Sequence, residues 1–176
     1  MLARLAAICT IAASACAFPA FAMYGPEVTE ELQKFVPLEM GAIDCWRAEF
    51  ATGQVSDMRF GLLVGGPAPH DDPGVLRYNF ELEATIRETG RKAESAGVCL
   101  DEDGGIVCSP ECDGGVARIT RRGNDDVLVR AESIRMYYCG EQGEEVHVSG
   151  DYLLAIAEEP ADCPVVDIRN PEAGVE

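Results

Sequence analysis

The chain has 176 residues, with 31 Asp and Glu against 14 Lys and Arg, a formal net charge of −17. Phosphate recognition needs clustered Lys and Arg, so this balance excludes nucleic acid as a partner and argues against anionic membrane surfaces. It would steer a basic protein toward the surface.

The first 22 residues read as an export signal. Arg4 supplies the positive start, residues 5–18 are apolar or small, and Ala20-Phe21-Ala22 has the form of a cleavage site. The apolar run is shorter than the roughly 20 residues a spanning helix needs, and Pro19 interrupts it. The competing reading is a lipobox, Ala13-Ser14-Ala15-Cys16, with a lipid on Cys16; it lacks the branched apolar residue three places before the cysteine. No later apolar run reaches spanning length. The expectation is a periplasmic or extracellular protein, with one domain over residues 23–159 and a tail over 160–176.

One segment has helical spacing. Val28, Leu32, Phe35 and Val36 make a single stripe, with Pro26 and three glutamates early, Lys34 late and Pro37 as the stop. The spacing predicts a short helix against or across the end of a sheet. From residue 43 onward the period changes to two. Trp46, Ala48 and Phe50 share one face, and Met58, Phe60, Leu62 and Val64 share the next. Leu76, Tyr78, Phe80, Leu82, Ala84 and Ile86 alternate strictly with polar residues, which predicts a strand about 40 Å long. A strand of that length bends, round a barrel or between two sheets. Shorter strands are expected at about 92–100, 105–109, 115–122, 126–131, 133–139, 145–149 and 151–157. Gly123 with Asn124, and Gly140 to Gly143, supply hairpin turns. Three prolines make residues 65–74 a loop. The fold class is all-β: a single-domain antiparallel meander with one short N-terminal helix, closed as a lipocalin-like barrel or stacked as a two-sheet sandwich. Charged outward faces and the lack of an aromatic girdle argue against an outer-membrane barrel.

Six cysteines follow the leader: Cys45, Cys99, Cys108, Cys112, Cys139 and Cys163. An even number in an exported chain implies up to three disulfides, with 15 connectivities open. If 98–100 pairs with 106–109 around the turn at 101–105, Cys99 and Cys108 lie nearly opposite. Cys112 is then left to reach Cys139, and Cys45 to reach Cys163. Cys108-x3-Cys112 also has finger-like spacing, but no C-x2-C occurs and neither histidine is near, so no metal is expected. Without C-x-x-C a redox role has no support.

No constellation for catalysis stands out, and no cofactor is implied. G-x-S-x-G is absent. His70 lies in the proline-rich loop. His147 shares a polar strand face with Ser149, without an orienting group or an oxyanion hole. Glu81 and Glu83 share one face of the long strand, which reads as solvated. Asp101-Glu102-Asp103-Gly104-Gly105 begins like a calcium loop but lacks the later ligands, and reads as an acidic turn. Trp46, the sole tryptophan, reads as core. If a barrel keeps an open mouth, Trp46, Phe50, Tyr78 and Phe80 become the candidate ligand pocket.

The run Cys99…Cys108-x3-Cys112-Asp113-Gly114-Gly115, followed by Val127-Leu128-Val129-Arg130, Ile134-Arg135 and Cys139, resembles a group of small uncharacterised exported bacterial β-proteins over residues 75–140. That likeness implies no activity. A fainter one is to periplasmic lysozyme inhibitors, small disulfide-bonded barrels with a Cys-Asp-Gly-like strand start; their serine-glycine stretch before a tyrosine is missing here. Two expectations follow. The first is a non-catalytic periplasmic binding or structural domain, holding a small apolar ligand or a protein. The alternative is an acidic inhibitor of a basic cell-wall or secreted hydrolase.

Overall fold

The computed structural model describes residues 30–65, 76–102, 104–110, 114–123, 125–139, 143–158 and 163. The expected leader, Asp103, Cys112, the loop containing His70 and all of the tail but Cys163 lie outside the described residues. Among the described residues, eight antiparallel strands close into a barrel in chain order. They are β1 (Ile43–Glu49), β2 (Val55–Gly65), β3 (Arg77–Ile86), β4 (Lys92–Glu102), β5 (Gly105–Pro110), β6 (Val116–Arg122), β7 (Asp126–Tyr138) and β8 (Glu145–Ile156). One helical turn, α1 (Glu30–Gln33), precedes them. This is the lipocalin-like barrel of the sequence reading, and the sandwich is set aside. No described helix is long and apolar enough to cross a membrane.

The alternation converts directly into an inside and an outside. In β3, Tyr78, Phe80, Leu82, Ala84 and Ile86 are buried, and the residues between them are half-exposed. Inward side chains fill the lumen. Trp46 stacks on Phe60 at 5.7 Å, Phe60 stacks on Phe80 at 6.3 Å, and Phe35 meets Trp46 edge-on at 6.3 Å. Met58, Leu62, Ile106, Ile119, Ile134, Met136 and Leu154 close-pack around that column, none of them exposed.

The ring is not equally wide at both ends. β4 pairs with β7 directly at Ala93↔Tyr138 and Glu94↔Tyr137, then with β5 from Gly97 onward. The β5–β6 hairpin therefore enters the ring partway along, giving six strands at one end and eight at the other. Gly97 sits at the fork. A Cβ there would meet Pro110 Cα at 2.8 Å and the Phe80 ring at 2.9 Å, so only glycine fits.

The wide end needs a plug, and residues 30–42 supply it. Leu32, Phe35 and Val36 are buried in the core. The Leu32 N–H donates to Asp101 Oδ1 at 3.0 Å, the Tyr78 hydroxyl donates to the Val36 carbonyl at 3.0 Å, and Arg121 donates to the Lys34 carbonyl. Trp46 Nε1 donates to the Asp125 carbonyl at 2.9 Å, tying the floor of the lumen to the β6–β7 turn. Burial, and then the Asp101 charge, push the Tyr78 hydroxyl up to about 12, so it stays a donor at all ordinary pH.

Three expectations change. The strands expected at 126–131 and 133–139 are one strand, β7, bent by a bulge between Ala131 and Ile134. Ser133 takes a φ of 54° there, and Gly115, itself at φ 77°, backs onto it with no room for a side chain. The pieces expected at 145–149 and 151–157 are likewise one strand, β8, because Gly150 at φ 138° twists it without breaking its pairing to β7. The third concerns the cysteines. Cys99 and Cys108 are opposite one another in the β4–β5 ladder and form a disulfide, and Cys45 is bonded to Cys163. Cys139 is a free, exposed thiol rather than the partner of Cys112. The Cys139 N–H is bonded to the Lys92 carbonyl, and Cys112 lies outside the described residues. The two disulfides place the folded domain in an oxidising, non-cytoplasmic setting.

Several carboxyls are held above their ordinary range. Burial raises Asp44 despite nearby Arg121. Burial and then Glu94 raise Glu81, and burial outweighs the helix N–H donors at Asp101. The folded chain thus binds protons more tightly than the unfolded chain. Stability falls as pH rises through the window between the ordinary carboxyl values and these raised ones. Asp151, lowered by Arg130, acts in the opposite sense only below the ordinary range. Scanning calorimetry should show the melting temperature rising as pH is lowered toward the ordinary carboxyl range, through the window in which these raised groups take up protons. A fall across that interval would refute the assignment.

Candidate functional site

The predicted pocket residues separate. Trp46, Tyr78 and Phe80 are each at most 2% exposed and belong to the packed column under the plug. Among the described residues they are packed against Leu32, Phe35 and Val36 of the plug instead of lining an open mouth. Phe50 is different. It leaves the end of β1 half-buried and meets Tyr152 of β8 edge-on, with ring centroids 5.3 Å apart. This pair lies beside a cleft of about 440 Å³ on the barrel's narrow end, within the size range of small-ligand sites.

The cleft exists because β1 and β8 part company. Their register holds at Trp46↔Ile156 and Arg47↔Ala155 and goes no further. Beyond that, the turn at residues 50–54 forms one wall, and Ser149 to Tyr152 form the other. Arg87 fixes the first wall: its guanidinium donates to the carbonyls of Phe50 (2.5 Å), Gly53 (2.9 Å), Val55 (3.1 Å) and Thr52 (3.4 Å). Gln54 bridges the gap, with Nε2 donating to the His147 carbonyl at 2.7 Å and Oε1 accepting from the Ser149 N–H at 3.4 Å. Tyr152 is held by its hydroxyl, which donates to the Ser149 carbonyl at 3.0 Å. The lining holds two carboxylates, Glu49 and Asp151, and no basic residue.

Beside the cleft sits a cluster the sequence reading half saw. The serine near His147 is Ser133, not Ser149: Ser133 Oγ is 3.2 Å from His147 Nδ1, and Glu145 Oε1 is 3.6 Å from Nε2. The Ser133 N–H donates to Ser149 Oγ at 3.1 Å. Both nearby backbone amides, of Ser133 and Ser149, are thus already engaged, and all three side chains of the Ser–His–Glu line are exposed. The arrangement braces the β7 bulge against β8, and nothing in it presents paired donors to an oxyanion.

The other singled-out residues are structural or surface groups. Asp101 accepts from the first turn of α1, so it anchors the plug. Glu83 pairs with Lys92 and Arg59 on the outer wall. Partial burial and the nearby Glu94 and Glu83 push the Cys139 thiol up, leaving it protonated and a slow nucleophile at neutral pH. No described group of three His, Cys, Asp or Glu side chains could hold a metal ion. Glu49, Gln54, Asp151 and Tyr152 were not singled out from sequence. The one signal was Gly150 inside a strand pattern, which marks a bend or a close approach.

Fold and site together define a plugged, disulfide-bonded, acidic β-barrel with, among the described residues, a cleft at a strand seam. No protein-family model, no curated protein and no solved structure matches the chain.

Proposed function

We propose that this chain is a non-catalytic binding module of the periplasm and that its partner is a basic protein. The carrying observation is the filled lumen. Among the described residues, Trp46, Phe60 and Phe80 stack under the plug and are almost fully buried, which argues against a small apolar ligand held as in a lipocalin and favours binding at the outer surface. That surface belongs to a chain of net charge −17, which favours cationic partners and fast, salt-sensitive association. The narrower form of the reading is an inhibitor of a basic cell-wall or secreted hydrolase. The faint likeness to lysozyme inhibitors supports it, as does an acidic cleft beside a rigidly held turn.

Native mass spectrometry of the chain purified from its own periplasm, followed by calorimetric titration of a co-purifying basic protein, tests this. The expected result is binding that weakens steeply as salt is raised from about 50 to about 300 mM. A lysozyme activity assay reads the inhibitor form. A retained apolar small molecule, with no basic protein bound, would overturn the proposal.

A further inference from the structure

The open β1–β8 seam carries more than a general acidic surface. In an antiparallel ladder alternate residues turn their N–H and C=O to the same neighbour. On β8 the odd-numbered residues face β1. The Ala157 N–H reaches the Cys45 carbonyl at 2.8 Å, Ala155 pairs with Arg47, and the Ser149 N–H and His147 carbonyl take the Gln54 side chain. Between these two clamps lie Asp151 and Leu153, facing the stretch where the register with β1 has ended. Leu153 is 53% exposed. The Gln54 carboxamide, one donor and one acceptor, already imitates a single residue of an added strand one position away.

We infer that this seam takes an extended peptide segment bearing lysine or arginine, by strand addition along the Asp151–Leu153 edge of β8. The inference rests on the reading that the partner is a basic protein, and it names where and how that partner docks. Strand addition draws affinity from main-chain hydrogen bonds and specificity from the side chains beside the edge. Here those are Glu49 and Asp151, whose side chains are 76% and 52% exposed. Each is ion-paired to an arginine of the outer wall, Arg47 and Arg130, and each remains open to the cleft. Phe50, half-buried and packed edge-on against Tyr152, gives the cleft an apolar wall beside these carboxylates.

The test titrates the isotope-labelled full mature chain with a peptide of alternating threonine and lysine, its threonine–glutamate counterpart, and the lysine peptide N-methylated on alternate backbone amides. Amide shifts from the lysine peptide should cluster at residues 48–54 and 149–154. Both the glutamate peptide and the N-methylated peptide should bind at least about tenfold more weakly. Leu153→Pro removes one seam-facing N–H while the β7-facing Tyr152 and Leu154 keep theirs, and it should weaken the lysine peptide by about tenfold. The N-methylated probe leaves the protein unaltered, so the test survives if the proline variant misfolds. Shifts spread over the acidic surface and indifferent to N-methylation would overturn the seam site while leaving a basic partner in place. Failure of the lysine peptide and of every basic protein to bind would overturn both.

Discussion

Replacing Cys45 and Cys163 together by alanine should lower the melting temperature by roughly 10–20 °C. The bridge spans 118 residues, so in the unfolded chain it ties β1 to the segment after β8 and restricts nearly the whole domain. Loop entropy for that span corresponds to about 5 kcal/mol. In the fold the bridge sits against Leu63, Ile43 and Ala157, just where the β1–β8 closure is only two register pairs long. The same change at Cys99 and Cys108 should do about half as much, roughly 2.5 kcal/mol, because the loop there is a hairpin of separation 9 already held in register. Calorimetry of the two double variants decides it. Equal losses would mean that loop closure is not what the long bridge contributes.

The second large effect is expected at Trp46. Trp46→Ala removes the ring that Phe35 and Phe60 pack against and leaves the Asp125 carbonyl without its indole donor. Emptying so large a site in a close-packed lumen costs about 3–5 kcal/mol, a large part of the 5–15 kcal/mol typical of a whole domain. Trp46→Phe keeps part of the stacking but loses the hydrogen bond and some ring volume, so it should cost less than the alanine change, about 1–3 kcal/mol. The cavity also makes a qualitative prediction. The alanine variant should be stabilised by indole, which fills an apolar void, and the parent chain should not respond. A parent chain stabilised by indole would show that the lumen has room, and the lipocalin-type reading would return.

Periodicity carried most of the architecture. Strict alternation in β3 placed Tyr78, Phe80, Leu82, Ala84 and Ile86 inside, and one register argument paired Cys99 with Cys108. The stripe of Leu32, Phe35 and Val36 pointed to a segment lying across a sheet end, and Asp101 now explains how that segment is anchored. Two interruptions misled. Ser133 and Gly150 look like strand breaks because their neighbours change phase, yet one sits in a bulge and the other in a twist, and pairing continues through both. Local phase cannot distinguish an ended strand from a bent one, since the difference lies in whether the neighbouring strand follows.

The candidate site was far less legible. Phe50 is spaced like Trp46 and was grouped with it, but it falls where β1 turns away from β8, so one ring is core and the other lines a cleft. Asp151 and Tyr152 meet Phe50, and Gln54 meets the His147–Ser149 backbone, only because β8, about a hundred residues later, closes the ring and then peels off. Composition, alternation and cysteine spacing by themselves determined an acidic, all-β, disulfide-bonded domain, because these depend on each residue's own polarity and its immediate neighbours. Three features were decided only by the tertiary structure: that the expected meander closes as the barrel and not as the sandwich, that residues 30–42 fill its wide end, and that a seam stays open after two register pairs. Each depends on how much space the strands enclose once every side chain is in place, a property of the packed whole that no single segment contains.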